Sequence, residues 1–280
     1  MIWVDMPGTS VKITERGIEY DRQFVIVGAD NMFVAQRSAA GQGIAIPQMC
    51  LISSHIEDDT LIVNAPDMPN LNVSLRIHAP VENVEVWGNA SLSSIYMGEE
   101  AKNWFTRFLS RFRKGEYRLF RMATTCRRAS KGGQAIVANQ DAFPFTIGSQ
   151  ASLLLLSEKL RESGLPDVEW DRFRPSLVLE GNCEAHAEDS LARIVIDGIP
   201  FNGKTLCSRC PIVNTDQATG KLGKEPLKLL ATYRRGYKLR APIHKVPIHK
   251  LGMVFFTRNF DHLECGHISP GSRVHIEATD

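Results

Sequence analysis

Along residues 1–95 the apolar positions come in short runs and strict alternations, the period of strands and not of helices. Phe24-Val25-Ile26-Val27 is an apolar run suited to a buried strand. Ala29-Asp30-Asn31 then supplies turn chemistry, and Met32-Phe33-Val34-Ala35-Gln36 returns as its hairpin partner. Thr60-Leu61-Ile62-Val63 predicts another strand. Leu71, Val73, Leu75 and Ile77 alternate with Asn72, Ser74 and Arg76, as do Val84 and Val86 about Glu85, the pattern of half-buried strands. Many short strands separated by turn signals predict a small barrel or sandwich.

The period changes at Gly98. Ala101, Trp104, Phe105, Phe108, Leu109 and Phe112 fall on one face of an amphipathic helix, with Lys102, Arg107, Arg111 and Arg113 on the solvated side. This places a linking helix at residues 96–118, between a β-rich domain at 1–95 and a second domain at 119–280.

The second domain mixes strands and helices. Residues 153–156, four leucines in a row, predict a buried strand, with Ser157 and Glu158 capping a helix that ends before Gly164 and Pro166. Residues 176–179, Arg193–Ile196, 253–257 and Val274–Ile276 predict further strands. Residues 127–134 are polar and glycine-containing and predict a surface loop. Pro242-Ile243-His244-Lys245 recurs as Pro247-Ile248-His249-Lys250, a five-residue echo that fits no solenoid period and predicts an extended connection.

Composition narrows the function classes. At 43% hydrophobic and 23% charged, the 280 residues have an ordinary globular balance. A net charge of +2 gives no global case for nucleic acid or a membrane surface. No apolar run approaches the length of a membrane span. The six cysteines are widely spaced, unlike a secreted disulfide framework, and Met1-Ile2-Trp3-Val4-Asp5 shows no signal-peptide pattern. The expectation is an intracellular, reducing compartment, cytoplasmic by default, with mitochondrial association as the alternative although no targeting segment is seen.

Chemistry concentrates at Cys207-Ser208-Arg209-Cys210. On spacing alone this pair reads as a redox dithiol, as half of a zinc site completed by Cys265 and His267, as a cofactor ligand with a bystander, or as two ordinary cysteines. Upstream, Arg172-Phe173-Arg174-Pro175-Ser176 leads into a strand and offers a guanidinium and a hydroxyl from one end of a sheet, a set suited to an anion.

In order along the chain stand Arg172-Phe173-Arg174-Pro175-Ser176, Ala187-Glu188-Asp189-Ser190, Cys207-Ser208-Arg209-Cys210, Asn214-Thr215-Asp216-x-x-Thr219-Gly220, Glu225-Pro226-Leu227 and Tyr233-Arg234. This ordered set resembles the MOSC domain, the molybdenum cofactor sulfurase carboxy-terminal domain, and within it the amidoxime-reducing-component group. Arg16-Gly17-Ile18-Glu19-Tyr20-Asp21-Arg22 and Phe33-Val34-Ala35-Gln36-Arg37 resemble its accompanying amino-terminal β-barrel domain. The resemblance implies an α+β, β-rich fold: a small β-barrel domain plus a mixed α/β, barrel-like MOSC domain. It implies a molybdenum–molybdopterin cofactor with Cys210 as the protein thiolate on the metal. Arg209 would help keep that thiol deprotonated, and Arg22, Arg174, Ser176, Ser208 and Arg209 would hold the pterin and its phosphate. Asn214 and Asp216 would orient ligand or substrate, with Ser149 and Gln150 as weaker cofactor candidates and Cys207 as a bystander. The family also carries a pyridoxal phosphate association, to which no residue here is assigned.

The chain departs from the family pattern in places. Pro7-Gly8-Thr9-Ser10 supplies no lysine where the family's first strand ends in Pro-x-Lys-Ser. Ile147-Gly148-Ser149-Gln150-Ala151-Ser152 lacks the usual aspartate, and Leu191 replaces a tryptophan. No Cys-x4-Cys-x2-Cys tail occurs, so the resemblance implies electrons from a separate donor protein of haem, flavin or iron–sulfur type. Residues 234–250 hold Arg234, Arg235, Lys238, Arg240, Lys245 and Lys250 without an acid, read either as a solvated loop or as a dock for an acidic donor. The expected activity is reduction of small N-hydroxylated substrates such as amidoximes and hydroxylamines. A cofactor carrier or sulfur-transfer module using Cys210 is the alternative, as is a degenerate member without cofactor.

Overall fold

The computed structural model describes residues 1–5, 10–37, 43–132, 135–239 and 246–277. It is an α+β, β-rich protein in which contacts cluster into two units. One comprises Met1–Glu19, Ala129–Asn214 and Lys224–Asp280; the other comprises Tyr20–Arg128 and Thr215–Gly223. The strands nearest the start of the sequence lie in the first of these units. Ile2–Asp5 joins Leu177–Gly181, and Val11–Thr14 joins Gly266–Ile268.

The unit centred on Tyr20–Arg128 is built from short sheets. Val81–Val86, Asn89–Tyr96, Arg118–Met122 and Phe24–Val27 form an antiparallel sheet of four strands, and Ser53–Glu57, Thr60–Asn64 and Leu71–Ser74 form one of three. Helix α1, Glu99–Leu109, lays Ala101, Trp104, Phe105, Phe108 and Leu109 onto the core that includes Leu61, Val63, Leu71 and Val73, as the 3.6-residue spacing requires.

The other unit carries a seven-stranded sheet in the order Ile2–Asp5, Leu177–Gly181, Phe145–Ser149, Val254–His262, Ile199–Arg209, Arg193–Ile196, Val274–Ile276. It is nearly closed. Trp3 bridges Arg273 and the Val4 amide donates to the Ser272 carbonyl at 3.0 Å, tying the first strand to the approach of the last. All nine residues of the central Val254–His262 strand are buried, because one face lines the sheet's interior core and the other lies under helices α2, Gln150–Glu162, and α3, Leu227–Tyr233.

The four leucines of 153–156 are not a strand. They lie inside helix α2, Gln150–Glu162, capped by Ser149 and not by Ser157. A short apolar run does not reveal its own period. Leu153, Leu156 and Leu160 face the core while Leu154 is exposed, and the strand is the preceding Phe145–Ser149. Within residues 127–134 a short strand, Arg128–Ala129, pairs with Ile136–Val137. Residues 6–9 and 240–245, which include Pro7, Gly8, Thr9 and the first copy of the Pro-Ile-His-Lys echo, lie outside the described residues.

Candidate functional site

The Ile199–Arg209 strand runs antiparallel to Val254–His262, pairing Ser208 with Phe255 and Arg209 with Val254. Directly opposed residues share a face. Arg209 therefore projects on the side of Val254 and Phe256, where Phe173 packs with its ring centre 4.5 Å from that of Phe256. There Nη2 of Arg209 donates to the Phe173 carbonyl at 2.7 Å, and the guanidinium lies 5.5 Å from the Phe173 ring centre. Nη1 donates to Cys207 Sγ at 3.1 Å. The sulfur that Arg209 meets directly is thus that of Cys207. Arg209 acts as a strut between the strand end and the turn before Arg174.

Cys210 leaves the sheet directly after this strand as a free, partly exposed thiol, its carbonyl accepting from the Val213 amide at 3.4 Å in the Pro211–Asn214 turn. Ser208 is exposed. Arg174 is exposed as well, in the left-handed region at φ 52, where its amide closes the Trp170–Arg172 turn by donating to the Trp170 carbonyl at 2.8 Å. Ser176 is fixed against Thr146: its amide donates to the Thr146 carbonyl at 2.7 Å and its Oγ accepts from the Thr146 amide at 3.2 Å. Among the described residues its hydroxyl proton has no acceptor.

The two weaker cofactor candidates both have hydrogen-bond partners at the start of α2. Ser149 is fully buried, caps α2, and gives its hydroxyl to Glu188 Oε2 at 2.7 Å. Gln150 accepts from the Trp170 indole at 2.8 Å. Both side chains hold the fold of the helix start, which the sequence could not show while 153–156 read as a strand.

Asn214 is buried and its Oδ1 accepts from the Leu227 amide at 3.0 Å, anchoring α3, Leu227–Tyr233. Asp216 Oδ1 accepts from the Thr219 amide at 2.9 Å and from Thr219 Oγ1 at 2.7 Å, closing its own turn. Arg22, at φ 52, ion-pairs with Asp21. Asp216 and Arg22 belong to the unit centred on Tyr20–Arg128; the other site residues named above belong to the barrel-sheet unit. Among the described residues no group of three or more His, Cys, Asp or Glu is placed to hold a bare metal ion, so the zinc reading finds no ligand set.

Sequence reasoning used Glu188 and Asp189 only as motif letters and missed what they build. Asp189, fully buried, ion-pairs with buried Arg234 at 2.6 Å, while Arg258 donates to the Asp189 carbonyl and Arg234 Nε donates to the Phe255 carbonyl at 3.0 Å. Burial pushes Arg258 down to about 10 against the neighbouring Asp189 charge. Glu188 accepts from the hydroxyls of Ser149 and Ser152, and burial, then Asp189, pushes its carboxyl upward. His186 stands beside this network with both ring nitrogens buried, and burial, then Arg234, lowers it to about 3. The signal that was available is Tyr233-Arg234 within an acid-free run: a lone motif arginine there finds its acid from another element.

The sequence comparisons bear on this geometry. The family model of the MOSC N-terminal beta barrel domain matches residues 7–112, and that of the MOSC domain matches residues 134–275. The chain is 30% identical over 226 residues to mitochondrial amidoxime reducing component 2 of Bos taurus, covering 76% of this chain and 62% of that protein. It is 30% identical over 240 residues to mitochondrial amidoxime-reducing component 1 of Mus musculus, covering 81% and 66%. It is 26% identical over 270 residues to molybdenum cofactor sulfurase of Drosophila pseudoobscura pseudoobscura, covering 93% of this chain and 31% of that protein. The match thus spans about three fifths of the length of the bovine relative. The strand-end thiol, the arginine-bearing turn and both matched domains converge: this chain belongs to the MOSC family, with the family's N-terminal β-barrel domain ahead of its MOSC domain.

Proposed function

We propose that the protein binds a molybdenum–molybdopterin cofactor through Cys210 and reduces small N-hydroxylated compounds with electrons from a separate donor protein. The observation that carries the reading is the free, partly exposed thiol of Cys210 at the end of a rigid strand. It emerges beside a turn braced by Arg209 and bearing the exposed Arg174. A soft thiolate with arginine and hydroxyl donors nearby is the donor set that a metal held by an anionic organic ligand requires. Cys210 would hold the metal. Arg174, Ser208 and the donating hydroxyl of Ser176 would serve the pterin and its phosphate. Asn214, held by its bond to the Leu227 amide, and Asp216, held in its own turn by Thr219, would orient ligand or substrate. Arg209 would position the turn, with two of its nitrogens already engaged.

When bound, the cofactor supplies two-electron chemistry; cleavage of an N–O bond takes two electrons and two protons and releases water. The chain's part is to fix the thiolate, bind the anion and admit the substrate. The names of the bovine and mouse relatives support the reductase assignment. Six free cysteines suit a reducing compartment.

A second reading, a cofactor carrier or sulfur-transfer module, is favoured by the 93% coverage of this chain in its match to the Drosophila sulfurase. Metal content after expression in a host that makes the pterin tests the first reading. Near-stoichiometric molybdenum, lost in Cys210→Ala and kept in Cys207→Ala, is expected. Equal metal in both variants would remove Cys210 from the site. Turnover of benzamidoxime with an artificial electron donor separates the readings, since molybdenum without turnover supports the carrier.

A further inference from the structure

The acid-free stretch beyond α3 acquires a location from the sheet register. Val254 pairs with Arg209 on one side and bridges Arg235 on the other. Strand spacings of roughly 4.8 Å therefore set the Arg235 backbone about 10 Å from that of Arg209, the residue before Cys210. Pairing ends at this row, so Cys210 and Met253 leave the sheet at the same end from neighbouring strands. The Gly236 amide donates to the Met253 carbonyl at 3.0 Å and the Tyr237 amide to the Leu251 carbonyl at 3.1 Å, holding 236–238 against 251–253.

What this ledge shows to solvent is apolar at its centre and basic around it. Tyr237, Ile248 and Met253 are exposed at 61%, 87% and 42%. Arg235, Lys238, His249 and Lys250 accompany them, and no Asp or Glu occurs between residues 234 and 253. Lys238 extends its ammonium to the Thr232 carbonyl at 2.5 Å and lies 6.0 Å from the Tyr237 ring centre, and among the described residues no carboxylate pairs with it. Arg234 is not part of the surface, being buried on Asp189. The basic side of α1 differs: Lys102 is neutralised by Glu99 and Glu116 at 3.4 and 3.3 Å.

We propose that Tyr237, Ile248 and Met253, rimmed by Arg235, Lys238 and Lys250, form the docking surface for an acidic-faced electron-carrier protein. The inference rests on the reductase reading and deepens it by assigning the donor's place. A desolvated apolar centre with a cationic rim fits a transient protein partner. The row Arg209–Val254–Arg235 explains why it lies here, because a carrier seated on it stands beside the sulfur that would hold the metal.

Isothermal titration of the full chain with a flavodoxin, a plant-type ferredoxin and an acidic b-type cytochrome tests it. At least one carrier is expected to bind, with Kd rising about 10-fold or more between 50 and 200 mM salt, as rim charges are screened. Lys238→Glu/Lys250→Glu should weaken that binding by at least about 10-fold, and Met253→Ser by a few fold. Lys102→Glu on α1 should leave it within about 2-fold. Circular dichroism confirms that each variant is folded. No binding by any carrier, or equal binding by the charge-reversed protein, overturns the proposal. So does co-sedimentation with anionic vesicles that depends on the same two lysines while the carriers fail to bind. Titrating Cys210→Ala in parallel separates the two ideas: unchanged binding without molybdenum dependence on Cys210 fails the cofactor reading alone.

Discussion

Asp189 and Arg234 form an ion pair at 2.6 Å with side chains 0% and 5% exposed. Arg234 ends α3 and Asp189 sits in the short turn Ala187–Ser190, so the pair locks a helix end onto the sheet unit between two segments remote in sequence. Removing one partner of such a pair strands a buried charge, at a cost of about 3–5 kcal/mol, whereas replacing both by apolar groups is often near neutral. Asp189→Ala should therefore lower the thermal midpoint sharply, and Asp189→Leu/Arg234→Met should recover most of the loss. Single and double variants with equal midpoints would show that the pair contributes nothing.

His186 gives acid lability. Its folded-state imidazole titrates at about 3 because burial disfavours the cation, against about 6.5 when unfolded. Between those values the unfolded chain binds the extra proton, so stability rises with pH. The contribution is complete above about 6.5 and falls away as pH drops toward 3. His262, also lowered by burial, acts in the same direction, and Glu188, raised by burial, acts oppositely, favouring the fold below its unfolded range. His186→Asn, which tolerates the left-handed backbone at φ 66, should flatten the slope of thermal midpoint against pH between 4 and 6.5. An unaltered slope would exonerate this imidazole.

Ser149→Ala separates a fold role from a ligand role. The hydroxyl caps α2 and donates to Glu188, so its loss should cost about 1–3 kcal/mol. Molybdenum content after expression should not change, because the fully buried oxygen is already engaged with Glu188 and the Ser152 amide. Metal loss at undiminished stability would return Ser149 to the site.

The strand-rich architecture was legible wherever alternation or periodicity was complete. The helix face from Ala101 to Leu109 and the strands Arg193–Ile196 and Val274–Ile276 follow directly from spacing. Leu153 to Leu156 misled because contiguous apolar residues carry no period; the cap at Ser149 was the decisive signal, and it is a tertiary one, since Glu188 completes it. The same limit hid the partner of Arg234 and the turn of Arg209 toward Cys207, since a sequence shows which residues carry charge but not which face they leave by. Cys210 stood out in the sequence because a thiol in a distinctive motif needs no tertiary partner to draw notice, and its place at a strand end became visible only in the fold.

Arg209 is the remaining test of how the site is held. Its bond to the Phe173 carbonyl at 2.7 Å is the side-chain tie between the strand end and the turn that presents Arg174. A charged donor on a carbonyl is worth about 1.5–3 kcal/mol, so its loss should raise local opening roughly 10–100-fold. Arg209→Met keeps a long side chain over the Phe173 ring while removing the donors, including the contact to Cys207. Amide hydrogen exchange should then accelerate at Phe173 and Arg174, whose amides close onto the Trp170 carbonyl at 2.9 and 2.8 Å. Exchange on the far side of the sheet, at Ile194 and Ile196, should stay at its original rate. Uniform acceleration at both places would mean that Arg209 supports the whole unit; acceleration at neither would mean that the Phe173 and Phe256 rings hold the turn without it.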